Sequence, residues 1–295
     1  MVGDGPDDLG QAYHVKYGDR VYRHIEYVFF ELVFKDVGLV LHLPLDDGPG
    51  SSVAVDTSGN GHHGALVNMD PASDWVSGQA GLALDFDGVD DYVSVPDHTE
   101  LDFGAGDFTV AVWVFKRSPT AGYDNSYAVS KWSTGASPGI NEWCLLVGSG
   151  LATGDTPAFT VEVGFDKFKV IAPVDISLNA WHHVVGVRRG QRIALYVDGV
   201  LVDANDSLPP GGAVNNVGSE LRVAVNQPVA PIYHTDAVFD EVQIYGFALS
   251  DGGVAVGETA GGNIATLYAN PGLSVAVFLD GFESGDTSAW SAEVP

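Results

Sequence analysis

Residues 181–203, Trp-His-His-Val-Val-Gly-Val-Arg-Arg-Gly-Gln-Arg-Ile-Ala-Leu-Tyr-Val-Asp-Gly-Val-Leu-Val-Asp, constrain the fold more than any other stretch. Two runs of β-branched and aromatic residues, Val184 to Val187 and Ile193 to Val197, flank Arg189-Gly190, and Asp198-Gly199 reverses the chain into Val200-Leu201-Val202. The pattern predicts a three-stranded meander. Asp-Gly suits a tight hairpin because both central residues of a type I′ turn need φ > 0, which Gly adopts freely and Asp tolerates. Strand alternation then sets the faces: with Ile193, Leu195 and Val197 inward, Arg192 and Tyr196 point outward. This fixes architecture and is silent on activity.

The rest of the chain repeats the theme. With 37 Gly and 15 Pro among many Val, Tyr, Phe and Trp, it reads as short strands joined by tight turns. Strands are predicted at Gly38–Leu45, Leu82–Phe86, Tyr92–Val95, Phe108–Phe115, Trp143–Val147, Phe159–Phe165, Phe168–Ile171, Leu221–Val225 and Phe239–Tyr245. Phe108–Phe115 is continuously apolar, as a central strand covered on both faces would be. The Gly- and Ser-rich 118–139 reads as a long loop. Val21 to Phe34 fits either a helix face or a strand, and strand is the expectation adopted. With no helix expected between 38 and 250, the chain reads as all-β, a two-sheet sandwich. The division expected is an N-terminal extension (1–37), the sandwich (38–250), a Gly-rich linker (251–270) and a tail (271–295), with Val275–Leu279 as one further strand.

A formal net charge of −26, from 39 acidic and 13 basic residues, argues against nucleic acid and anionic lipid as partners. It suits either a cation-dependent protein or one kept soluble in salty surroundings. Cys144 is the one cysteine, so neither an internal disulfide nor a thiolate metal cage can form. No apolar run reaches the ~18 residues a membrane helix needs, and the first residues carry no basic-then-apolar secretion signal.

Several blocks, in order, resemble the laminin-G-like jelly rolls of the concanavalin A-like lectin and glucanase superfamily, bacterial type. They are Leu45-Asp46-Asp47-Gly48-Pro49-Gly50, Asp56 to Gly64, Leu84-Asp85-Phe86-Asp87-Gly88 with Asp91-Tyr92-Val93, Phe108 to Val114, Trp181 to Gly199, and Phe239 to Tyr245 with Ala248-Leu249-Ser250. The resemblance covers roughly residues 39 to 250. It implies a two-sheet antiparallel jelly roll, usually a secreted, non-catalytic adhesion module that binds polysaccharide or a surface protein, often around a structural calcium ion (Ca2+).

Asp56-x-Ser58-x-Asn60-Gly61 places oxygen-bearing side chains at positions 1, 3 and 5 and Gly at 6, the front half of a calcium loop. Val67 stands where the closing Glu belongs. In the resembling family an acidic residue opening the last strand lies close by, here Asp240, and Asp46 is a further candidate. The competing reading is an Asx-type turn. The pairs His62-His63 and His182-His183 cannot each chelate one ion, because neighbours in a strand face opposite ways. The Glu-x-Asp-x-x-Glu strand of the glucanase branch is absent: Glu162 is followed two residues on by Gly164, and Asp240-Glu241 are adjacent. Catalysis is therefore not expected, though carboxylates brought together from different strands would escape this test. Trp75, Tyr123, Tyr127, Trp132 and Tyr233 fall in loop-like stretches where a sugar platform could form; Trp113 and Trp181 read as core. A surface-filament subunit, self-associating through Tyr27–Phe34 or Val275–Leu279 added to a neighbour's sheet edge, is the alternative, and a polysaccharide-degrading enzyme a third.

Overall fold

The computed structural model describes residues 38–120, 125–132, 142–149, 154–214, 218–226 and 233–275, with the backbone of 12–17 and 20–25. The chain divides into two units, Met1–Phe34 and Lys35–Pro295. In the first, β1 (Ala12–Tyr17) and β2 (Arg20–Ile25) form an antiparallel hairpin with Tyr17 opposite Arg20. The expected segment Tyr27–Phe34 lies outside the described residues, as does all of Val275–Leu279 but Val275.

The second unit carries β3 (Leu39–Leu43), β4 (Val53–Ala54), β5 (Gly64–Val67), β6 (Trp75–Ser77), β7 (Leu82–Asp87), β8 (Tyr92–Val95), β9 (Phe108–Lys116), β10 (Asn125–Lys131), β11 (Trp143–Ser149), β12 (Ala158–Val163) and β13 (Asp166–Ile171). After these come β14 (Trp181–Arg189), β15 (Arg192–Val197), β16 (Val200–Asn205), β17 (Leu221–Val223), β18 (Asp236–Tyr245) and α1 (Gly262–Ala269). Two antiparallel sheets result. One runs β16-β15-β14-β9-β18-β7-β6, with β3 beside the C-terminal half of β18; the other runs β13-β12-β11-β10-β17-β8-β5-β4. The chain is thus an all-β jelly-roll sandwich. Among the described residues no helix is long and apolar enough to cross a membrane, which says nothing of a β-barrel.

The predicted meander is present: Asp198 and Gly199 take φ of 50° and 74°, and Val197 pairs with Val200. Ile193 and Leu195 enter the interior between the sheets, where Phe108 stacks on Phe103 (centroids 4.6 Å) and meets Trp143 and Phe159 at 5.5 and 5.9 Å. Gly186 is required here, because a Cβ would collide with the Phe159 ring. Tyr196 points outward as expected, yet it is buried.

What buries it is the segment read as a linker. Residues 251–270 are packed rather than extended: Gly257, Glu258 and Ala260 exchange backbone hydrogen bonds with Gly199 and Leu201, and Ala260, Ile264 and Leu267 bury against Val185, Val187 and Tyr196. Spacings of four and three residues put these apolar side chains on one side of α1 and its approach, a pattern that the glycines around it obscure. Tyr196 Oη donates to Asp251 Oδ2 at 2.6 Å. The predicted loop 118–139 also needs correction, since β10 crosses it as an interior strand between β11 and β17. Its Ser126, Ser130 and Lys131 mask a strand that only its neighbours' backbone groups define, an override of local propensity by tertiary context.

Ile264 is fully buried, so Ile264→Ala should lower unfolding free energy by about 2–5 kcal/mol. Urea titration followed by tryptophan fluorescence should record one shifted transition; an unchanged midpoint would mean that the cap is not part of the folding unit.

Candidate functional site

The expected calcium ligands fall into two separate hydrogen-bonded groups. Asp56 Oδ1 accepts from the backbone N–H of His42 (3.0 Å) and Ser58 (2.9 Å), while Oδ2 accepts from Ser58 Oγ and from His62 N–H, both 2.9 Å. Burial would raise its pKa, but these bonds hold it below the ordinary carboxylate value. Asn60 Nδ2 donates to the carbonyls of Leu39 and Val40 at 2.9 and 2.8 Å. Asp56, Ser58 and Asn60 therefore come together as an Asx-type lock on β3, with both carboxylate oxygens of Asp56 already engaged twice.

Asp240 shares no hydrogen bond with that cluster. Asn60 sits at the Leu39 end of β3, whereas Asp240 precedes Val242, which pairs with Leu43 at the other end. Its Oδ2 accepts from Gln79 and Ala80 N–H at 2.8 and 2.9 Å, and its Oδ1 is buried without a partner. Burial, and then the neighbouring Glu241, push the Asp240 carboxyl up to about 7. The same turn holds Asp46, whose Oδ1 accepts from Leu82 N–H. A Cβ at Gly78 or Gly81 would overlap the carboxylates of Asp240 and Asp46 respectively, so the two glycines make room for a pair of acidic groups. The orphaned Asp240 oxygen is a hard donor that a cation would satisfy, and Asp46 is bound to the same 78–82 turn.

Glu241, at φ 52°, forms a bulge between β18 and β9 and turns away from Asp240 to meet His42 Nε2 at 2.7 Å. Elsewhere Asp87, Asp90 and Asp91 cluster in the β7–β8 turn, where Asp87 Oδ1 accepts from Val89 and Asp90 N–H, an Asx turn. The histidines divide as geometry required. His183 is buried against Trp113, with its pKa lowered to about 4 by desolvation, while His182 turns to Asp198 at 2.7 Å.

Three of the aromatic residues converge. On the outer face of β10–β13, Tyr127, Cys144, Leu146 and Ala158 form a small apolar cluster against which Trp132, Ile171 and Tyr233 pack half-buried. The Tyr127 and Tyr233 rings meet at 6.0 Å, edge to face. Tyr127 lies in β10, not in a loop. Trp75 is instead buried in β6, donating Nε1–H to Ser51 O at 3.0 Å, and Tyr123 lies outside the described residues. Lys167 Nζ lies 4.6 Å over the Trp132 ring and 3.8 Å from Glu162 Oε2. Lys169, two residues on and on the same face, donates to Ser149 Oγ at 2.8 Å. Sequence reasoning passed over these lysines, although Lys167-Phe168-Lys169-Val170 alternates and so puts both on one face.

The arrangement is a half-buried aromatic floor with cations and hydroxyls at its edge on one side of a jelly roll. The chain belongs to the Laminin_G_3 family of the concanavalin A-like lectin/glucanases superfamily, whose sequence profile matches residues 87–255. No curated protein matches it. Among solved structures it is similar to the binding domain of Paraclostridial Mosquitocidal Protein 1 (TM-score 0.56, 17% identity, covering 79% of this chain and 52% of that one). It is similar also to domain 4 of AbnA, a GH43 extracellular arabinanase from Geobacillus stearothermophilus, in complex with arabinotriose (0.53, 18%, 72% and 94%). A third is Trypanosoma rangeli sialidase in complex with a difluoro-KDN (0.51, 14%, 79% and 32%). The chain thus spans about half of the first of these and a third of the last. At such identities the likeness shows the fold alone.

Asp240 carries a testable sign. Its folded pKa, about 7, lies above the ordinary 3.8, so its stabilising contribution is full below pH 4 and is lost as pH rises toward 7. With divalent metal chelated, the parent should lose more stability than Asp240→Asn between pH 4 and 7 in urea titrations. Parallel profiles would contradict this.

Proposed function

We propose that the chain is a non-catalytic carbohydrate-binding module of an extracellular protein, gripping a saccharide on the outer face of β10–β13. The observation that carries the reading is the convergence of Tyr127, Trp132 and Tyr233 on one sheet face. The half-exposed rings of Trp132 and Tyr233, packed on the buried Tyr127, offer flat apolar area to the C–H faces of sugars, and hydroxyl and cationic groups at the edge orient them. Domain 4 of the arabinanase, a module of similar fold seen with arabinotriose, supports a saccharide ligand and an extracellular setting.

A structural calcium ion is part of this reading, held by Asp240 with Asp46 rather than by Asp56, Ser58 and Asn60. Bound there, the ion would satisfy the orphaned Asp240 oxygen and neutralise carboxylates that accept from the backbone of one turn. Its role is to stiffen the junction of β18 with the 78–82 turn, on the sheet away from the aromatic face. No step of sugar recognition runs through it.

Trp132→Ala should weaken saccharide binding at least tenfold, about 1.4 kcal/mol or more, in glycan-array and calorimetric measurements, with the melting curve unchanged; a flat array for the parent would remove the lectin reading. Calcium should raise the melting temperature of the parent and leave Asp240→Asn unmoved, whereas an equal response of both would place the ion elsewhere. Incubation with the bound polysaccharide should release no reducing ends.

A further inference from the structure

The charge of the proposed face departs from that of the rest of the molecule. Among the described residues, Lys116, Arg117, Lys131, Arg189, Arg192 and Arg222 each have a carboxylate within ion-pairing distance. Arg188 is buried and donates to the carbonyls of Gly104, Ala105 and Gly212. In a chain of net charge −26 such matching costs nothing to arrange. Lys169 departs from it.

Its ammonium is partly buried and donates to a neutral hydroxyl, Ser149 Oγ. Across the ladder it faces Thr160, and beyond that Cys144. Cys144 supplies no anion, because burial pushes its thiol up to about 12. Desolvation, together with the like charge of Lys167, lowers the pKa of Lys169. Lys167, in turn, is matched only loosely, 3.8 Å from Glu162 and otherwise over the face of Trp132. A partly desolvated cation without a counter-ion is costly, and the cost is recovered when a ligand brings an anionic group.

We infer that the face is specific for an anionic saccharide, one bearing carboxylate or sulfate groups, with Lys169 and Lys167 receiving the anion while Trp132 and Tyr233 stack on the sugar ring. This rests on the saccharide-binding reading above and narrows it. The acidic remainder of the molecule repels a polyanion at long range, so recognition must act locally, within the ~8 Å screening length of physiological salt. Such a lysine pair also discriminates against neutral glycans, since binding one would leave Lys169 desolvated and unmatched.

The test is calorimetric titration in 0.15 M salt of the full chain with polygalacturonate, dextran sulfate, neutral dextran and neutral arabinan. The result expected is binding to one or both anionic polymers at least tenfold tighter than to the neutral ones. Lys169→Gln should remove that margin, and Trp132→Ala should weaken all binding. The two anionic arms separate a carboxylate from a sulfate ligand. If neutral arabinan or dextran binds as tightly as the anionic polymers and Lys169→Gln changes nothing, the anion inference is overturned while the saccharide reading stands. If none of the polymers binds and Trp132→Ala is silent, the saccharide reading itself falls. Self-association that Lys169→Gln abolishes, seen by sedimentation, would also overturn the inference, naming a second acidic copy of the chain as the occupant.

Discussion

Everything in this molecule hangs on one sheet being covered on both faces. β9 and β14 present Val110, Val112 and Val184 to the interior and Ala111, Val185 and Val187 to the outside, and the second set is as deeply buried as the first. The inner set meets the other sheet. The outer set meets Ala260, Ile264 and Leu267 of the segment that follows the jelly roll. A strand with apolar side chains on both faces is stable only if both are kept from water, so the cap after Leu249 belongs to the same folding problem as the sandwich.

The second constraint is the bulge at Asp240–Glu241. Were β18 regular there, alternation alone would send the two acidic side chains to opposite faces of the sheet, one of them into the interior. The bulge, with Glu241 at positive φ, lets Asp240 reach the Gly78–Gly81 turn and Glu241 reach His42 and Gln243. Gln243 then donates to Leu273 O, and Tyr245 Oη accepts from Val275 N–H, so the polar row pins the residues after α1. Two acidic neighbours thus serve two junctions. The junction at Asp240 leaves an oxygen unsatisfied, which is what a bound cation would repair.

The other sheet solves its outer face differently. Its strands β10 to β13 carry a mixed set, with Tyr127, Leu146 and Ala158 beside Thr160, Lys167 and Lys169. Trp132 and Tyr233, left half-exposed beside a cation that has no carboxylate partner among the described residues, stabilise the fold poorly but leave interaction energy available to a ligand. The sandwich supplies the rigidity such a surface needs, since the inward residues of the same strands, Trp143, Leu145, Phe159 and Val161, are fixed in the core.

The sequence by itself determined the strands with clean alternation and glycine turns, because period-2 patterns and Asp198-Gly199 turn chemistry are local properties. It determined also that His182 and His183 face opposite ways, that Trp113 is buried, and that the chain resembles its family. It could not reveal β10, whose serines and lysine look like a loop until β11 and β17 pair with them, nor the cap, whose three apolar contacts are diluted by glycine. It read Asp56, Ser58 and Asn60 as ligands because oxygen spacing is local; that both Asp56 oxygens are taken up by His42, Ser58 and His62 donors, while Asn60 Oδ1 is buried without a partner, depends on β3 lying alongside. The binding of Asp240 and Asp46 to one turn, the placing of Lys167 over Trp132, and the packing of Trp132 and Tyr233 against one cluster were decided by tertiary structure alone. Residues distant in the chain become neighbours only through strand order and register, which depend on the energy of the whole sandwich and not on any one segment.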